Sequence, residues 1–131
     1  MGDCMKILLI FTAVLEGLTG LALLLAPALP VSLLLGISLD TSGGVVVARV
    51  AGAAVLSLGV ACWVASGDGR SRAARGLVTA MSLYNVVVAI LAHAWLGLAL
   101  SGLGLWPAAV LHLALAFWCM ARLQAKPLKP R

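Results

Sequence analysis

The stretch Gly44–Ala65, GVVVARVAGAAVLSLGVACWVA, decides how this chain is read. Its length suits a helix that crosses about 30 Å of hydrocarbon, which takes roughly 20 residues. Arg49 is its one charged side chain. An arginine at depth in a bilayer is costly, so it is expected to have a partner and a use.

Three more segments of the same kind flank it: Ile7–Ala26, Leu77–Leu98 and Leu103–Met120. Composition agrees, with 63% hydrophobic and 10% charged residues and a mean hydropathy of +1.16, far from the soluble norm of about a quarter charged residues. The expected fold class is all-α, an antiparallel bundle of four transmembrane helices at about residues 7–26, 44–65, 77–98 and 103–120. These helices and their connections fill residues 1–131 as a single transmembrane domain, so any chemistry belongs to the bundle or to short loops. Glu16 in the middle of the first segment, and the absence of a clean small-x-small cleavage site before further apolar sequence, argue for a retained helix rather than a signal peptide. Met1-Gly2 is followed by Lys at position 6, which does not fit a myristoylation signal.

Charge sets the expected orientation. Lys6 precedes the first segment; Arg70, Arg72 and Arg75 lie in the second connection; Arg122, Lys126, Lys129 and Arg131 follow the fourth. The other two connections contain no base. By the positive-inside rule both termini and the Ser66–Gly76 loop are cytoplasmic. Localisation in the inner (plasma) membrane as a multi-pass protein follows, with membrane lipids as partners. The net charge of +5 is then accounted for by topology and anionic headgroups, and nucleic acid is not an expected partner. Trp63 and Trp118 toward one side, with Trp95 and Trp106 toward the other, match the interfacial preference of indole.

Asp40-Thr41-Ser42 is a helix-start signal that places the second helix near Ser42. Ala26-Pro27 ends the first helix. The apolar Val31–Leu39 is too short to span, and is expected to lie along the outer interface or tuck over the mouth of the bundle.

Each helix carries a stripe of small or polar residues. Thr12, Glu16, Thr19 and Gly20 lie on the first; Ala48, Gly52, Ala53 and Gly59 on the second, with Arg49 beside them; Asn85, Ala89 and His93 on the third; Ala108, His112, Ala116 and Cys119 on the fourth. Membrane helices associate through close approach at small residues, so the simplest bundle turns all four stripes inward. The expected ligand-binding cluster is then Glu16, Arg49, Asn85, His93 and His112. Counted from Pro27 and Ser42, Glu16 and Arg49 are offset by about four residues, roughly 6 Å, so either a direct pair or a shared polar cavity is expected. Counted from the Ser101–Gly102 turn, His93 and His112 differ by roughly 3 Å. They are expected to be neighbours, either hydrogen-bonding across helices or, less specifically, as axial ligands of a b-type haem. Beyond that pair of histidines no metal ligand set is expected. Cys4, Cys62 and Cys119 are expected on the cytoplasmic side as packing residues or, for Cys4, as an exposed thiol. No HExxH, CxxC, nucleophile elbow or phosphate loop occurs, and no catalytic residue is assigned.

Ala26-Pro27, Ala48-Arg49-Val50-Ala51-Gly52 continuing to Leu58-Gly59, Tyr84-Asn85, and Leu105-Trp106-Pro107-Ala108 followed by Leu111-His112 together resemble the DoxX-like small four-helix membrane proteins of bacteria. The resemblance covers most of the chain. It implies a four-helix bundle, with some members serving as small subunits linked to quinone-dependent oxidation; only Arg49 and His112 are carried over from it. The expected function is non-catalytic: binding a lipophilic small molecule, quinone-like or lipid-like, or supporting a membrane complex with a protein partner or further copies of the chain. Two alternatives are a proton-coupled small exporter, suggested by the lone Glu in the first helix, and a haem-binding redox protein. The eight loop and tail bases on one side weigh against a dual-topology exporter.

Overall fold

A computed structural model describes residues 2–69 and 71–125. Arg70 and residues 126–131, which hold three of the four bases of the C-terminal tail, lie outside the described residues, as does the side chain of Trp95. The elements are α1 (Gly2–Leu25), α2 (Ala28–Leu35), α3 (Ser42–Ala65) with a 3-10 turn at Ser66–Asp68, α4 (Arg72–Gly97) and α5 (Leu105–Gln124). Four of them, all but α2, are long and apolar enough to cross a membrane, and no strand occurs among the described residues. The chain is a small multi-pass membrane protein.

Local chemistry explains the ends. Thr41 is extended and its hydroxyl accepts the Gly44 amide at 3.1 Å, satisfying one of the four orphan donors of a helix start. Pro27 precedes α2, and Pro30 falls within its first turn, where the missing N–H costs no hydrogen bond. Gly36 closes α2 at φ 71°, a left-handed conformation open to glycine. The first part of the Val31–Leu39 segment, expected along the interface or over the mouth of the bundle, is thus helical, and its end is docked. The amides of Gly102 and Gly104 donate to the carbonyls of Leu34 and Leu33 at 3.0 and 2.8 Å, so the turn before α5 caps α2. A Cβ on Gly102 would collide with the Leu33 carbonyl. Only glycine allows that approach.

Packing is built from two helix pairs, α1 with α3 and α4 with α5. In the first pair, glycine brings backbone against backbone. A Cβ on Gly20 would lie 2.5 Å from the Leu56 amide nitrogen, one on Gly52 would lie 2.8 Å from Leu24 N, and one on Gly59 would lie 2.8 Å from Gly17 N. Residues 52 and 59 thus meet 23–24 and 13–17 respectively, so the two helices run in opposite directions. The pairs then share a core at one end of the molecule: Met5, Leu8, Leu9 and Ala13 of α1, Cys62 of α3, Ala74, Val78 and Met81 of α4, and Leu115 and Cys119 of α5. Cys62 and Cys119 are buried and unbridged, and Cys4 is exposed. The large apolar side chains that remain exposed, such as Leu18, Val46, Val50, Ile90 and Phe117, suit contact with lipid.

The glycine contacts supply an internally controlled test. Gly20→Ala should destabilise the protein by about 1–3 kcal/mol, the usual cost of overpacking. Gly17→Ala, whose added methyl meets nothing within 4 Å, should be neutral or slightly stabilising, because alanine is the better helix former. Unfolding in graded denaturing detergent checks both; equal effects would contradict this packing.

Candidate functional site

A polar cluster sits immediately above the apolar core. Glu16 on α1 is 2% exposed and Asn85 on α4 is 1% exposed; Tyr84 and His112 are half-buried beside them. Met81 and Leu115, each about one turn toward the core from Asn85 and His112, form the floor. Thr12, one turn below Glu16, is also buried.

Hydrogen bonds fix the orientation of most of these groups. The Asn85 Nδ2 donates to the Met81 carbonyl at 2.7 Å, which turns Oδ1 toward α5. Oδ1 is 2.7 Å from His112 Nδ1. Since Oδ1 can only accept, Nδ1 carries the proton and donates, leaving Nε2 of the neutral ring as an acceptor. Tyr84 packs its ring edge-on against His112, with centroids 5.7 Å apart and an interplanar angle of 80°. Its hydroxyl donates to Glu16 Oε2 across a long 3.5 Å. The other carboxyl oxygen, Oε1, is buried and has no hydrogen-bond partner.

Three of the five expected site residues are therefore brought together: Glu16, Asn85 and His112. Arg49 is not among them, being exposed on α3. The reason is rotational. The buried face of α3 runs through Ala48, Gly52, Gly59 and Cys62, and Arg49, one residue past Ala48, stands about 100° around the helix. Ala53 leaves the stripe in the same way and is exposed. The register is also wrong for a pair with Glu16. With Gly52 against Leu23 and Leu24, Arg49 is level with Ala26 and Pro27, about ten residues or roughly 15 Å from Glu16 along the axis. Pro27 and Ser42 are not at one depth, because α3 runs on past the end of α1.

His93 is likewise exposed. The buried positions of α4 are Ala74, Val78, Met81, Asn85 and Ala92, a pattern of alternating threes and fours. Two successive steps of four from Asn85 to His93 advance about 80° around the helix, off the buried face. Arg75 donates from its guanidinium to the Leu123 carbonyl at 3.1 Å. Together with the Asn85–His112 bond this sets the α4–α5 register and places His93 level with the start of α5, roughly 11 Å from His112 along the axis. The two histidines are not neighbours, so the pair expected to ligate haem is not assembled. The small stripe residues Gly20 and Gly52 face each other across the α1–α3 contact and leave no space between them.

Tyr84 is the residue that the stripe reasoning overlooked. A tyrosine in the middle of an apolar helix needs a partner for its hydroxyl, and that need, joined to the lone Glu16, was the available signal. Comparison with protein-family models, curated proteins and solved structures finds no match to this chain.

Removing single members should separate glue from site. Asn85→Leu strands the His112 N–H, and should cost about 1–2 kcal/mol, with a coupling to His112→Phe of about 0.6–1.7 kcal/mol in a double-mutant cycle. Glu16→Leu, by contrast, takes away a buried oxygen that has no partner, and should leave stability unchanged or raise it. Thermal unfolding in detergent checks both. A Glu16→Leu loss larger than that of Asn85→Leu would make the carboxyl structural.

Proposed function

We propose that this chain is a bundle of four antiparallel transmembrane helices, with both termini cytoplasmic, that binds the polar head of a lipophilic small molecule at Glu16, Tyr84, Asn85 and His112. One observation carries the reading: a carboxyl group is held in the apolar interior with one oxygen unsatisfied. Such a group is costly, and a folded protein retains it where a partner arrives from outside. Asn85 and His112 satisfy each other and position the wall, while Tyr84 and His112 are only half-buried, so the cluster is reached from the flank of the bundle. In a membrane that flank is lipid. A few convergent polar groups in an apolar surround are the usual composition of a small-molecule site.

The topology draws on the Lys and Arg bias between connections, and the resemblance to DoxX-like proteins supports an inner-membrane bundle of this size, acting alone or as a small subunit of a membrane complex. The activity is binding rather than catalysis. Arg49 and His93 stand outside the proposed site.

Two experiments test the reading. The exposed Cys4 should resist a membrane-impermeant maleimide applied to intact cells, whereas an Asp40→Cys variant should react; labelling of Cys4 from outside would invert the topology. Mass spectrometry of lipids and quinones that copurify with the wild-type protein should show a species depleted at least severalfold in Glu16→Leu. Identical profiles would remove the binding role.

A further inference from the structure

We infer that the head group recognised at the Glu16 cluster is a hydrogen-bond donor, a protonated amine or a hydroxyl, rather than a carbonyl-type acceptor. The inference rests on the binding role proposed above, and narrows it. It follows from counting what each side chain of the cluster still has to offer.

Asn85 commits one Nδ2 hydrogen to the Met81 carbonyl and its Oδ1 to His112, and keeps only its second Nδ2 hydrogen. His112 has spent its proton on Asn85, which leaves Nε2 with a lone pair and no hydrogen. Glu16 presents Oε1 with no partner and Oε2 with one long contact. Tyr84 has a single O–H, directed at Glu16. Unused capacity is therefore mainly accepting: both carboxylate oxygens and the imidazole nitrogen against the one remaining Asn85 N–H. The donors left for an acceptor ligand are the second Nδ2 hydrogen of the fully buried Asn85 and the Tyr84 hydroxyl, and turning the latter would strand Oε2 as well as Oε1 in the interior. A ketone or an oxidised quinone would add a further acceptor to a cluster already short of hydrogens. An ammonium supplies three donors and a charge opposite to that of the carboxylate, and a hydroxyl supplies one donor. The apolar walls and the lipid-facing flank require the remainder of the ligand to be hydrocarbon.

The test uses three probes with the same tail: dodecylamine, dodecanol and dodecyl methyl ketone, titrated calorimetrically into the full-length protein in maltoside micelles. Dodecylamine should bind at least about tenfold more tightly than the ketone, the worth of one charge-assisted hydrogen bond, with dodecanol between them. Glu16→Gln provides an amide N–H where the carboxylate had none, so the ketone should gain and the preference should shrink severalfold. Tyr84→Phe removes the one donor aimed at Glu16 and should leave the preference intact or enlarge it; it carries the test if Glu16→Gln does not fold by circular dichroism. If the ketone binds wild type as tightly as the amine, the site binds ligand but the donor inference falls. A carboxyl that keeps its own proton and acts as a donor would produce that result. If no probe binds, the binding role itself fails. A preference for amine unchanged in Glu16→Gln would place the recognition elsewhere and overturn the assignment.

Discussion

Everything in this molecule is referred to the contact in which the backbones of α1 and α3 touch. Water is absent from the interior of a bilayer, so helices gain nothing from hiding apolar surface and associate through van der Waals contact at close range. Gly20 and Gly52, with Gly59 against Gly17, allow that range. The contact fixes the rotation of α1 and, through it, where Glu16 points. Once Gly20 faces α3, a residue four positions earlier is about 40° away around the helix, on the flank of the contact and toward α4. The carboxyl meets Tyr84 there rather than a charged partner on α3. A glycine contact between two helices thus decides that the acid does not meet Arg49.

The second pair supplies the opposite kind of surface. Along α4 and α5 the inward positions are larger and include Met81, Leu115 and the Asn85–His112 bond. An interhelical hydrogen bond of this type is worth only about 0.6 kcal/mol on average in a membrane, so its main effect is directional. It locks the amide and the imidazole and settles which of their atoms face the acid. Capping of α2 by Gly102 and Gly104 ties the far end of the same pair to the connection between α1 and α3. The cluster consequently lies between an apolar core on one side and a pinned short helix on the other.

The number of spanning helices, the cap at Thr41 and the inward placement of Glu16, Asn85 and His112 were legible in the sequence, because each depends on local composition or on a short helical spacing. Arg49 and His93 were both misplaced by rotation around the helix, Arg49 by standing one residue, about 100°, past the buried Ala48 and His93 by two equal steps of four from Asn85. Equal steps of four look like a face over one turn, yet drift by about 40° per step. The stripe that stays buried mixes steps of three and four, so that Ala48, Gly52, Gly59 and Cys62 follow one another by four, seven and three. Depth was misread for a different reason. Counting residues from a turn assumes that both helices end at the turn, whereas α3 runs past α1, and α2 fills the difference. Such offsets are set by packing, which leaves no mark in composition.

The misplacement of Arg49 changes what the acid must be. Had the guanidinium reached Glu16, the pair would have been electrically closed, and the natural reading would have been structural, since a satisfied buried ion pair asks for no ligand. With Arg49 exposed and level with the end of α1, a snorkelling side chain near the interface is a sufficient account of it, and Glu16 stands in the interior with an oxygen unfilled. Burial of an unpartnered carboxyl oxygen lowers stability. On the proposed reading, the acid is kept there at a cost in stability because a hydrogen-bearing group from outside completes its hydrogen bonding.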